Sequence, residues 1–111
     1  FELRHVGINA PDEDSADQTA GTFEAIFGMT KKAGGSSIFA GTAVEVMKTP
    51  YLGANGHIAI GTNYIERAVY HLERQGVVFD EDTAKKDDKG NLKAIYLKDE
   101  IGGFAVHLVQ K

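Results

Sequence analysis

The 111-residue chain reads as two copies of one pattern, and this repeat constrains its fold more than any other feature. In the first copy Ser15 stands as an N-cap, and Gln18 three residues on completes a capping-box pattern. Ala16, Thr19/Ala20, Phe23 and Ile26/Phe27 follow at helical spacing. Gly28 then offers the left-handed conformation that stops a helix. In the second copy Asn63 and Glu66 take the cap roles, Ile65, Ala68/Val69 and Leu72 form the stripe, and Gly76 is the stop. The spacing predicts helices over Ser15–Phe27 and Asn63–Gln75, equal from cap to stop.

Strand patterns flank both helices. Leu3-Arg4-His5-Val6-Gly7-Ile8-Asn9 matches the segment Ala54–Gly61 when His5 is laid on His57. After the first helix, Thr30–Ala33, Ser36–Ala40 and Ala43–Lys48 read as short strands, with turns at Gly34-Gly35 and Gly41-Thr42. After the second, Val77–Asp80, Leu92–Leu97 and Phe104–Val109 do the same, and Asp87-Asp88-Lys89-Gly90-Asn91 is a strong hairpin turn. The prediction is one domain, 1–111, made of two tandem βαβββ units, 1–49 and 54–111. The chain starts in a strand pattern at Phe1, as a piece of a longer chain would.

Composition removes several function classes. Charged residues make up 25% and apolar residues 42%, an ordinary globular balance. With a net charge of −4 and interspersed signs, no basic stripe points to nucleic acid or an anionic membrane. No apolar run is long enough to span a bilayer and no signal peptide is visible, so the expected location is cytoplasmic. The chain has no cysteine, which excludes disulfides, thiolate metal ligands and a Cys nucleophile.

Strand alternation places the chemistry. Successive side chains on a strand face opposite sides. Val6 and Ile8, Val44 and Val46, Ile58 and Ile60, and Val106 and Leu108 each form an aliphatic face for packing beneath a helix. His5, Glu45, His57 and His107 point the other way, beside the small residues Gly7, Ala59 and Ala105. Taken singly, a strand His is commonly a hydrogen-bonded residue and a strand Glu a solvated one. Here His5 and His57 occupy matching positions in the two copies, as do Glu45 and His107, and a two-fold repeat brings matching positions toward its axis. Imidazole and carboxylate are ligands of borderline divalent ions. The expected centre therefore has His5, Glu45, His57 and His107 converging on one point, their donor groups roughly 3–4.5 Å apart. His71, flanked by Arg67 and Arg74 on the second helix, reads as solvated.

The paired units, with Ala43-Val44-Glu45-Val46 and Gly56-His57-Ile58-Ala59-Ile60, resemble the vicinal oxygen chelate superfamily of glyoxalases, methylmalonyl-CoA epimerases, extradiol dioxygenases and bleomycin-resistance proteins. The resemblance covers nearly the whole chain. It implies an α+β fold with a curved mixed sheet, and metal ligands on the first, fourth, fifth and eighth strands, here His5, Glu45, His57 and His107. One departure is His107, where lyases and epimerases of the family usually carry Glu. Ser36-Ser37-Ile38-Phe39-Ala40-Gly41 and the segment Leu97–Phe104 are similar to a glyoxalase-like domain fused to bacterial 2-keto-3-deoxy-6-phosphogluconate/4-hydroxy-2-oxoglutarate aldolases.

The resemblance and the ligand set together imply a metal-dependent lyase or isomerase-type domain acting on a small 2-oxo or 2-hydroxy carbonyl compound through a stabilised enediolate. The expected cofactor is one divalent ion, Zn, Ni, Co, Fe or Mn. Glu45, the one carboxylate in the set, is the expected proton shuttle. Expected partners are a small-molecule substrate and either a second copy in a homodimer or a fused enzyme domain. The rival class is a non-catalytic small-molecule or metal-binding module, accessory to a larger enzyme such as a keto-acid aldolase. An oxygenase is a third option, disfavoured because the usual iron set is two His and one carboxylate. Met47, Phe39, Tyr51 and Tyr96 read as core or rim of the pocket.

Overall fold

The computed structural model describes residues 1–111. Its elements are β1 (Glu2–Asn9), α1 (Glu13–Phe27), β2 (Lys31–Ala33), β3 (Ser37–Ala40), β4 (Val44–Met47), β5 (Gly56–Thr62), α2 (Ile65–Arg74), β6 (Phe79–Lys86), β7 (Leu92–Leu97) and β8 (Phe104–Gln110). This is the expected βαβββ unit, twice. All eight strands join one sheet in the order β2-β3-β4-β1-β5-β8-β7-β6. The order reads the same from either end once copies are exchanged. β1 pairs with β4 and β5 with β8 in parallel, whereas β1 and β5 meet antiparallel at the centre. The pseudo-two-fold axis thus passes between β1 and β5, beside His5 and His57.

Each helix covers its own half. α1 packs on β3 and β4, burying Ala16 and Ala20 against Ile38, Ala40 and Val46. α2 packs on β7 and β8, burying Ile65 and Ala68 against Phe79, Ile95 and Leu108. Both clusters lie on the helix side of the sheet, which leaves the opposite face for His5, Glu45, His57 and His107.

The helix ends depart from the predicted caps. α1 begins two residues before Ser15 because Asp12 is the N-cap, its carboxylate accepting from Ser15 N at 2.7 Å. A carboxylate is the stronger acceptor for an orphan N–H, and Glu13 and Asp14 add favourable charge to the first turn. Gly28 ends the helix as expected, at φ 69° with its N–H donating to Glu24 O. Ile26 and Phe27, which continue the apolar stripe, are 66% and 68% exposed and pack in neither core cluster. α2 starts at Ile65 and has no side-chain cap from its own segment. Asn63 does not cap it. Instead Gln110 Oε1, at the end of β8, accepts from Ile65 N at 2.9 Å, and Glu66 accepts from Leu92 N at 3.3 Å. The helices are therefore unequal, 15 and 10 residues, although Gly76 closes the second with a positive φ of 94°.

Candidate metal centre

The two central strands set the site. Gly7 lies opposite His57 and Ala59 opposite His5 in the β1–β5 ladder. A side chain on Gly7 would collide with His57 Cε1 and Nδ1, so the His57 ring lies over bare backbone there. This accounts for the burial of the His57 side chain, 4% exposed, while the His5 side chain keeps 21%. β4 and β8 flank this pair and bring in Glu45 and His107.

Three donor atoms form a tight triangle. His57 Nε2 lies 3.0 Å from Glu45 Oε1, His5 Nε2 lies 3.3 Å from the same oxygen, and the two nitrogens are 3.3 Å apart. The ring nitrogens of His5, His57 and His107 all lie within 4.8 Å of one another. His5 and His57 thus meet Glu45 on one side and His107 on the other, and all four side chains line one cavity within a single chain. His71 stands apart on α2, exposed and bonded to Gln75 at 2.9 Å.

Electrostatics distinguish the members. Hydrogen bonds from His5 and His57 hold the Glu45 carboxyl well below the usual carboxylate range, against the opposing effect of burial, and Ser37 adds to the shift. Burial, then the nearby His57 and His5, push His107 down to about 4, so it is a neutral lone-pair donor at neutral pH. Its Nε2 is buried and has no hydrogen-bond partner. An unpartnered buried imidazole nitrogen is costly unless something supplies a bond. Such a nitrogen beside two further imidazoles and an ionised carboxylate fits a divalent cation.

Two supporting contacts lie outside the expected set, one from Ser37 and one from Tyr96. Ser37 Oγ, buried on β3, donates to Glu45 Oε2 at 2.7 Å and fixes the carboxylate plane. Tyr96 stacks on His107 with ring centres 4.3 Å apart and an interplanar angle of 12°. Ser37 had only a cross-strand signal, for it faces Met47, two residues beyond Glu45, in the β3–β4 ladder. The Tyr96 stack had a signal, since Tyr96, read from sequence as core or rim, lies opposite His107 in the β7–β8 hairpin. Above the four donors opens a cavity of about 400 Å³, also lined by Ser36, Met47, Thr49, Tyr51, Tyr96 and Lys85. Met47, Tyr51 and Tyr96 thus belong to its wall, and Phe39 meets the His5 ring edge-on at 5.8 Å. A cleft of about 460 Å³ at the start of α2 holds one carboxylate, Glu66, already engaged by Leu92 N.

No protein-family model and no curated protein matches the sequence. Solved structures do match the fold. Streptomyces coelicolor methylmalonyl-CoA epimerase, as a variant in complex with 2-nitronate-propionyl-CoA, superposes with a TM-score of 0.66 at 16% identity, over 100% of this chain and 97% of that one. A selenomethionine methylmalonyl-CoA epimerase gives 0.67 at 19% identity, covering 99% and 94%. The epimerase from Mycobacterium tuberculosis gives 0.63 at 18%, covering 98% and 87%. At such identities the likeness establishes the fold, and the fold is the expected one.

Proposed function

We propose that this chain is a metal-dependent isomerase or lyase-type domain acting on a small 2-oxo or 2-hydroxy carbonyl compound, with His5, Glu45, His57 and His107 holding one divalent ion. The observation that carries the reading is the triangle of Glu45 Oε1, His5 Nε2 and His57 Nε2, at 3.0–3.3 Å, beside the unpartnered Nε2 of His107. The epimerase neighbours support the isomerase branch. A divalent ion would supply Lewis-acid polarisation of a carbonyl, acidifying the adjacent C–H and stabilising an enediolate.

The chain's own groups have separate tasks. The three imidazoles orient the site, and burial keeps His107 neutral and ready to donate its lone pair. Glu45 offers Oε1 to the set and Oε2 to Ser37. To accept a proton, Oε2 would exchange roles with Ser37, whose hydroxyl can turn from donor to acceptor. Tyr96 and Tyr51 wall the cavity, their rings 6.3 Å apart.

A second reading, a non-catalytic binding module, has one observation in its favour: the only carboxylate is held as a weak base and its outer oxygen is already bonded. Metal analysis of the purified chain, followed by proton NMR of 2-oxo and 2-hydroxy acids in D₂O, separates the two. Stoichiometric metal with enzyme-dependent exchange of the C–H beside the carbonyl is the expected result. Metal without exchange across the screen would favour the binding module, and no metal would overturn the metal-dependent reading.

A further inference from the structure

β6 and β7 pair with a break in register. Asp80 lies opposite Tyr96 and Lys85 opposite Ala94, so five steps along β6 span two along β7. Cross-strand partners share a sheet face, whereas residues an odd number apart on a regular strand do not. Asp80 and Lys85 nevertheless share the face that carries Tyr96. Phe79 and Ala84, the residues just before them, both pack in the second core. The bulge between them has moved Lys85 from the core face to the pocket face. It is a built feature: Thr83 Oγ1 accepts from Tyr96 N at 2.9 Å and donates to Asp80 O at 2.7 Å. Bulges next to active sites often re-aim a side chain in this way.

Lys85 is the only cation among the residues lining the cavity above the four donors, and it joins none of the chain's ion pairs. Tyr96, 6% exposed, lines the same cavity and offers a phenolic hydroxyl. With one carboxylate, one ammonium and a divalent ion, the cavity would carry net positive charge. A substrate that binds by two oxygens alone leaves the ammonium without a counter-charge.

We propose that Lys85 holds a second carboxylate of the substrate, beyond the pair of oxygens presented to the metal set, with the Tyr96 hydroxyl as its neighbour. This rests on the metal-centre reading and narrows it to 2-oxo or 2-hydroxy dicarboxylic acids.

The test is calorimetry on wild type and Lys85→Met, first with Ni²⁺ alone. Each nickel-loaded protein is then titrated with two matched pairs, oxaloacetate against 2-oxobutanoate and 2-oxoglutarate against 2-oxopentanoate. Wild type should bind at least one dicarboxylate about tenfold more tightly than its methyl counterpart. Lys85→Met should lose that preference with nickel affinity and monocarboxylate binding unchanged, and Lys85→Arg should retain most of it. Equal affinities within both pairs, or an undiminished preference in Lys85→Met, would overturn the assignment while leaving the metal centre standing. Failure of both proteins to bind nickel, and zinc, cobalt, iron(II) and manganese in parallel titrations, would overturn the metal centre and this inference together.

Discussion

The two halves of the molecule share a scaffold and divide the chemistry. Laid on one another, β3 and β4 correspond to β7 and β8. Phe39 faces Glu45 in one hairpin, and Tyr96 faces His107 in the other. Two residues before these aromatics stand Ser37 and Ala94. Ser37 donates to Glu45, whereas Ala94 has nothing to donate, and His107 Nε2 is left free. The outer strands differ too: β2 is three residues long and ends at Ala33, while β6 runs eight and carries the bulge that delivers Lys85. The repeat places His5, Glu45, His57 and His107 around one cavity, and the departures from symmetry give each position different surroundings.

The sharpest way to break this comparison is to swap carboxylate for amide on one side and imidazole for amide on the other. Glu45→Gln, saturated with metal, should still bind a substrate analogue but turn over at least roughly a hundredfold more slowly. His107→Gln should act mainly through metal affinity, and added metal should rescue it in part. A metal-bound neutral imidazole has no lone pair left for a proton, whereas a carboxylate has a second oxygen. Near-normal turnover in metal-loaded Glu45→Gln would end the shuttle role and return Glu45 to a ligand only.

The next effect separates β1 from β5. His5 lies across from Ala59 and tolerates its methyl, while His57 lies across from Gly7 and has no room for one. Gly7→Ala should lower nickel affinity by about 10–100-fold, by tilting His57, and cost about 1–3 kcal/mol of stability. Ala59→Gly should leave nickel affinity within about threefold, because a lost methyl need not move His5. Equal losses in calorimetry and urea denaturation would show that the strands are interchangeable here.

How far this arrangement is legible in the sequence depends on the range of the interactions. Alternation along β1, β4, β5 and β8 is local, so His5, Glu45, His57 and His107 could be assigned to one face from spacing. Lys85 could not, because the bulge reverses the parity that alternation relies on, and the segment after Asp80 lost its strand pattern with it. Ile26 and Phe27 continue a helical stripe yet are exposed, because periodicity gives a helix face and not the length over which that face is covered. Ser37 requires knowledge of the hairpin register before its partner can be named. Ser37→Ala should weaken nickel binding by about tenfold, the lower end of what supporting hydrogen bonds contribute. An unchanged isotherm would mean that the imidazoles alone orient Glu45.

The smallest expected effect concerns the helix starts, where one half is capped from within and the other from across the sheet. Asp12 serves α1 from its own segment; Gln110 serves α2 from β8, and its side-chain amide also donates to Asn63 O. Asp12→Ala should therefore lower Tm, Asn63→Ala should leave it unchanged, and Gln110→Ala should lower it despite lying 45 residues from Ile65. The pH dependence distinguishes the two caps. Hydrogen bonds from Ser15 lower the Asp12 pKa in the folded state, so its contribution is present above the unfolded value of about 4 and fades as pH falls through the folded one. The Tm gap between wild type and Asp12→Ala should be full at pH 7 and shrink progressively below about pH 4. The gap for Gln110→Ala should stay constant over the same window, since an amide does not titrate. If the Gln110 gap closed in acid and the Asp12 gap did not, the assignment of local and cross-sheet caps to the two halves would have to be reversed.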